Sequence, residues 1–180
     1  MKRLLPVLIS TLLGLVLSQP VLAYLAEDVQ RLLETNSCEH CDLSQANLRG
    51  ADLKYANLNG ADLTGADLRA ADLAHASIDG SNFSHADLSY GQLNDVNLKV
   101  ANFRGTNLSN VDLGGADLRE MDLTGTYLNN AILIGANLSG ANLNGANLSS
   151  AYLYKAKLIG VNLSDANLDG ARLSEINLSG

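Results

Sequence analysis

The stretch "GANLSGANLNGANLSSAYLYKAKLIG", Gly135 to Gly160, spells Ala-Asn-Leu at Ala136, Ala141 and Ala146 and then alters the wording. The leucine beat continues at Leu153 and Leu158, while the residues around it become Tyr152, Tyr154, Lys155 and Lys157. Outward from this stretch the beat runs almost the length of the chain. From Leu43 to Leu178 every fifth residue is Leu except Ile78, Phe83 and Phe103, which makes 28 beats without an insertion. Self-similarity at a fixed short period marks a stacked architecture, because one unit cannot bury its apolar face except against the next.

Two residues before each beat stands Ala in 18 of 28 units, and the exceptions are mostly small or apolar, such as Ser81, Gly91, Val96 and Thr106. Alternate residues of an extended chain share a face, so the small residue and the Leu both point inward. The residue between them, Asp or Asn in 21 of 28 units, then points to water. The two remaining positions are rich in Ser, Arg, Asn and Gly and read as a corner, with Gly serving where φ turns positive. Each unit is therefore a three-residue in-out-in strand followed by a bend, and the units wind into a coil whose parallel connections favour a right hand. Irregularities that recur at 20 residues, such as Phe83 with Phe103, Ile132 with Tyr152 and Ile134 with Tyr154, favour four sides; Ser77 and Gln92, 15 apart, do not.

The segment "ADLTGADLRAADL", Ala61 to Leu73, resembles the pentapeptide repeat family, and the resemblance covers Cys41 to Gly180. It implies an all-β fold, a right-handed quadrilateral parallel β-helix of about seven coils and roughly 34 Å of rod. The family includes negative rods that imitate DNA and shield a topoisomerase, and exported proteins of photosynthetic bacteria. This chain is more similar to the exported type, through its leader, its short helix and its "CxxCDL" entry into the repeats.

Lys2 and Arg3, the apolar run Leu4 to Leu17 and the small-residue site Val21-Leu22-Ala23 read as a signal peptide over 1–23. The run is too short for a transmembrane span, and no Cys near the cut suggests a lipid anchor. Residues 24–37 are expected to form a helical cap, with Val29, Leu32 and Leu33 on the face that covers the coil end, and 38–180 the repeat helix. In an exported chain Cys38 and Cys41 are expected to form a disulfide pinning the cap to the first coil. Free thiols in redox exchange, or a metal, are the alternatives, and a metal would need two further ligands. The last coil reads as uncapped, which invites an end-to-end homodimer. The expected destination is a periplasm or a thylakoid lumen, with no membrane contact once the leader is removed.

The formal net charge is −7, and loss of Lys2 and Arg3 makes it about −9, which argues against a nucleic-acid or anionic-membrane surface. The acidic residues gather toward the start: Tyr24 to Val100 holds 12 acidic and 5 basic residues. Vertical stacking would pair Asp42 with Asp62, Asp52 with Asp72 and Asp67 with Asp87, but flat walls offer no cleft for catalysis. Ser84-His85 lacks a third group and an oxyanion hole. His75 and His85 fall on opposite corners, and no phosphate loop occurs. No catalytic, cofactor or metal residues are expected, and the chain does not read as an enzyme.

The altered wording lies on one side of the coil. The outward slots Asp52, Asp72, Gln92, Asp112, Ile132, Tyr152 and Arg172 share a wall, and the last three abandon Asp/Asn together. Ile134 and Tyr154 follow on the same wall, Tyr127 and Ile159 lie on neighbouring walls, and Lys155, Lys157 and Arg172 form a rim. An apolar cluster with a polar rim has the anatomy of a protein contact. The function expected is a non-enzymatic exported scaffold for an unknown protein partner. The alternatives are a DNA mimic acting on a topoisomerase and a thiol or metal protein using Cys38 and Cys41.

Overall fold

The computed structural model describes residues 20–178, with side chains from residue 26; the expected signal peptide lies outside the described residues apart from its last four. The structure is built from one local event repeated. After each beat the chain bends, and the next small residue donates its N–H to the Leu carbonyl three residues back, as Ala46 does to Leu43 at 3.1 Å and Ala136 to Leu133 at 3.0 Å. The residue just before that donor has positive φ at every fifth position from 40 to 175 except Val100. Twelve of these corners are Gly. The outward Asp or Asn supports the bend by accepting the N–H two residues on, as in Ser44 to Asp42 at 3.0 Å, Gly114 to Asp112 at 2.9 Å and Asp169 to Asn167 at 2.9 Å. Such Asx hydrogen bonds are why short polar side chains favour turns.

Parallel bridges join outward residues 20 apart, from Ser37 with Asn57 to Lys157 with Asn177, except at Ser77 with Asn97 and at three neighbouring pairs described below. A five-residue unit and a 20-residue register give four sides, so the 15-residue coincidence of Ser77 and Gln92 carries no structure. Each side pairs through one residue only, shorter than the three-residue strand expected, because a bend follows on both flanks. The four walls are labelled A to D by their outward residues: Asp42, Asp62 and on for A; Asn47, Asp67 and on for B; Asp52, Asp72 and on for C; Asn57, Ser77 and on for D.

Inside, the leucines from Leu43 to Leu158 are buried with most of the small residues between them, while Ala51, Val96, Ala101 and Ala116 are half-buried, and the Phe83 and Phe103 rings stack at 5.1 Å and 1°. Where Ser or Thr replaces Ala the hydroxyl finds a carbonyl, as Ser81 finds Leu58 and Thr106 finds Phe83, both at 2.7 Å. Among the described residues no buried side-chain polar atom lacks a partner. Gly91 occupies a small-residue slot where an added Cβ would stand 2.8 Å from the Leu88 carbonyl oxygen.

Helix α1, Pro20–Thr35, precedes the first coil and runs through the expected cleavage point at Ala23. It buries Leu32 fully and packs Val29 on the core. Leu33, expected on the covering face, is 47% exposed. One residue turns the helix by about 100°, and only the Val29–Leu32 stripe meets the coil. Asp28 joins helix to coil, one oxygen holding Arg31 at 2.8 Å and the other accepting the Asp42 N–H at 2.9 Å. The Sγ atoms of Cys38 and Cys41 lie 1.98 Å apart beneath this contact.

At Val100 the regular winding breaks. It is the one β-branched residue at the positive-φ corner, a conformation such side chains strongly resist. The corner becomes a short 3₁₀ turn, Leu98–Val100. Around it no rung bridge joins Gln92 to Asp112, Asn97 to Asp117 or Asn102 to Asp122, whereas wall B keeps Asp87 to Asn107 and Asn107 to Tyr127. The seam is spanned by side chains instead, Lys99 to Asp117 at 2.9 Å and Arg104 to Asp122 at 2.7 Å. A cleft of about 370 Å³ opens there, between Leu93–Leu98 and Asp112–Asp117. Val96, Val111 and Met121 fill slots that usually hold Ala, and this extra volume also opposes closure.

Candidate protein-contact wall

Each Asp or Asn on a wall does two jobs, bridging to the next rung and holding its own corner. Ile132 and Tyr152 keep the first, bridging to each other and onward to Asp112 and Arg172, but supply no acceptor for the corner N–H groups of Ile134 and Tyr154. A hydrogen bond of this kind contributes about 0.5–1.5 kcal/mol. Neither side chain regains it by packing inward, since Ile132 is exposed and Tyr152 half-buried.

Wall C brings most of the predicted residues together. Ile132, Ile134 and Tyr152 line one shallow hollow with Tyr90, Asn110 and Asn130. Tyr154 and Lys155 form the corner leaving this wall, with the Lys155 ammonium 4.9 Å from the Tyr154 ring centroid and the Tyr154 hydroxyl donating to Glu175 at 3.2 Å. Arg172 lies one rung beyond Tyr152 with its guanidinium 4.8 Å over that ring. Lys157 is exposed on wall D. Tyr127 is exposed on wall B and Ile159 is half-buried at the corner after wall D, so these two stand outside the hollow. Tyr90, 66% exposed, was not among the predicted residues. Its signal is columnar: 90, 110 and 130 form the corner that enters wall C.

The other candidate chemistries meet different fates. Asp42 and Asp62, Asp52 and Asp72, and Asp67 and Asp87 are rung neighbours. Hydrogen bonds from Arg69 hold the Asp67 carboxyl below its usual value. Burial opposes ionisation of Asp72, yet the hydrogen bonds from Lys54 and the Ala74 N–H outweigh it and leave this carboxyl lowered as well. Arg119 and Lys99 together hold Asp117 well below the ordinary range. A general acid needs the opposite shift. His75 stacks on Tyr55 at 4.9 Å with its Nδ1 3.6 Å from Asp95, one wall width and more from His85. Asp28 comes close to both cysteine sulfurs, but its oxygens serve Arg31 and Asp42 while the sulfurs lie against each other. Among the described residues no helix is long and apolar enough to cross a membrane.

Known proteins place the repeat. The family model "Pentapeptide repeats (8 copies)" matches residues 37–69, 66–105, 106–145 and 146–180. Among solved structures, HetL from the cyanobacterium Nostoc sp. strain PCC 7120, a pentapeptide repeat protein involved in heterocyst differentiation regulation, is 36% identical. That match covers 80% of this chain and 73% of HetL with a TM-score of 0.36. QnrB1, a plasmid-mediated fluoroquinolone resistance protein, is 21% identical over 76% of this chain and 79% of its own, with a TM-score of 0.37. A pentapeptide repeat protein from the Arabidopsis thaliana thylakoid lumen is 22% identical over 74% of this chain and 69% of its own, with a TM-score of 0.31. No curated protein matches.

Proposed function

The chain belongs to the pentapeptide repeat family, whose members form right-handed β-helices, and we propose that it is a non-enzymatic exported scaffold that holds another protein against wall C. The observation that carries this reading is the surrender of the corner hydrogen bonds at Ile132 and Tyr152 in favour of apolar groups presented to water. A local rule broken without a folding gain points to a site under another demand. In this reading 1–23 is a leader, and its removal leaves the helix from Tyr24 to Thr35 as a cap on seven coils. The Cys38–Cys41 disulfide staples that cap, and the product works in a periplasm or thylakoid lumen.

Two other readings have less support. A DNA mimic needs free carboxylates along its walls, whereas Lys54, Arg69, Lys99, Arg104 and Arg119 neutralise theirs. Thiol exchange needs an accessible sulfur, and Cys38 and Cys41 are 1% and 2% exposed. End-to-end pairing is a further part of the proposal: Leu173 and Leu178 on the last described coil are 38% and 63% exposed.

The test is Tyr152→Ser combined with Tyr154→Ser. The doubly substituted protein keeps its β circular dichroism and no longer recovers its partner after crosslinking in the exported compartment. Unchanged recovery would sink the reading.

A further inference from the structure

The cations of this acidic rod are nearly all bound to carboxylates of the rod itself. Lys54, Arg69, Lys99, Arg104 and Arg119 each hold an Asp at 2.5–2.9 Å, and Lys155 reaches Glu175 at 3.7 Å. Arg49 acts on Asp67 at longer range. Lys157 and Arg172 differ: among the described residues no carboxylate pairs with either. These two flank the Tyr154–Lys155 corner, Lys157 on wall D and Arg172 on wall C.

Arg172 is also oriented. Its guanidinium lies 4.8 Å over the Tyr152 ring, and stacking of this kind fixes the plane of the fork while leaving the N–H donors free for a carboxylate. One rung away, the same Tyr152 walls the apolar hollow with Ile132 and Ile134. A fixed cation fork, a second free cation and an apolar hollow thus stand within two or three rungs, a span of about 10 Å.

We infer that this corner receives an extended acidic segment of the partner, with a carboxylate on Arg172, a second acidic group facing Lys157, and an apolar side chain in the Ile132–Ile134–Tyr152 hollow. The inference rests on the contact reading above and names the chemistry of its partner. Side chains two apart on an extended peptide share a face and lie about 7 Å from each other, so one can enter the hollow while the next on that face meets the guanidinium one rung along. The rest of the rod sharpens the register. Asp52 and Asp112 occupy the same wall toward the N-terminus, so an acidic segment shifted along wall C meets like charge.

The test uses the full chain and two capped probe peptides, FSESE and its counterpart FSKSK, followed by NMR amide shifts and titration calorimetry. FSESE is expected to shift the amides of Tyr152, Tyr154 and Arg172, and FSKSK to leave them in place. Arg172→Gln and Lys157→Gln, both outward changes that spare the core, should each weaken FSESE binding by about five- to tenfold, in line with loss of a charge-assisted hydrogen bond. Equal binding of the two peptides, binding by neither, or indifference to Arg172→Gln overturns the inference. Partner recovery separates it from the reading beneath it. If Tyr152→Ser with Tyr154→Ser abolishes recovery while the two Gln variants do not, the contact stands and the acidic segment is wrong; if the Tyr variant recovers its partner, the contact itself is wrong.

Discussion

Position 100 shows how much one side chain decides. Every other corner from residue 40 to 175 passes through positive φ, including non-glycine corners such as Tyr55, Ala70 and Lys155, and Val100 alone does not. Replacing Val100 with Gly is expected to admit the regular corner, restore protection of the Leu98 and Asp117 amides, and raise stability by about 1 kcal/mol, the order of the left-handed penalty for a side chain with a Cβ. Thermal melting and amide exchange check both halves of that statement. The comparison case is Leu143→Ala in the buried column, expected to cost about 2–5 kcal/mol in a denaturant melt. The inward beat was readable at once because burial repeats it in every unit. Val100 was equally present in the sequence, but counting small and large residues weighs the core, and the breach is in backbone angle. The same holds for Ile132 and Tyr152: their departure from Asp/Asn could be read, whereas the corner hydrogen bond each gives up could not.

The seam and the helix are the elements whose behaviour follows from such residues. Walls A, C and D lack rung bridges between the coils that meet at the seam, while wall B retains them. Amides of Leu93, Leu98, Phe103, Asp112, Asp117 and Asp122 should therefore exchange faster than their counterparts one coil away, and uniform protection along the rod would refute the seam. Its ionic stitching gives it a pH dependence. Asp117 has its carboxyl lowered in the folded chain by Arg119 and Lys99, so its contribution is present above the ordinary carboxyl range near 3.8 and is lost as pH falls toward the depressed folded value. Acidification from pH 6 to below 3 should lower the melting temperature, and Asp117→Asn should flatten that slope. At the other element, the apolar stripe of helix α1 is legible in the sequence, but Leu33, expected on the covering face, lies open to water. The sequence gives the stripe a width, and only the coil it meets decides which edge is covered.

At the scale of the whole molecule, core and walls obey different constraints. Leu, Ala and the corners must satisfy a shared register, and they announce the architecture over the described repeats. The outward slots have to satisfy only water and the local bend, so they are free to carry a message that folding does not dictate. That is why the hollow was only partly visible beforehand: Ile132, Ile134 and Tyr152 stood out against a monotonous background, while Tyr90 joins them from two coils away through a column that no local window displays. The exposed leucines of the last described coil bear on assembly at this scale too. If Leu173 and Leu178 meet a second copy, Leu178→Asp should shift light-scattering mass from dimer to monomer without loss of β signal; an unchanged mass would remove that contact.

The register of twenty makes the molecule an indexing device. An extra unit of five residues inserted between the seam and Asn130 would rotate everything after it by a quarter turn relative to helix α1, and four extra units would return it to the original heading, about 4.8 Å further along the axis. A partner that touches only Ile132, Ile134, Tyr152 and Arg172 would tolerate either change, whereas one that also rests on Tyr90 or grips the N-terminal half would tolerate neither the rotation nor, beyond its own slack, the translation. Insertion length thus becomes a ruler for how much of the rod a bound protein spans.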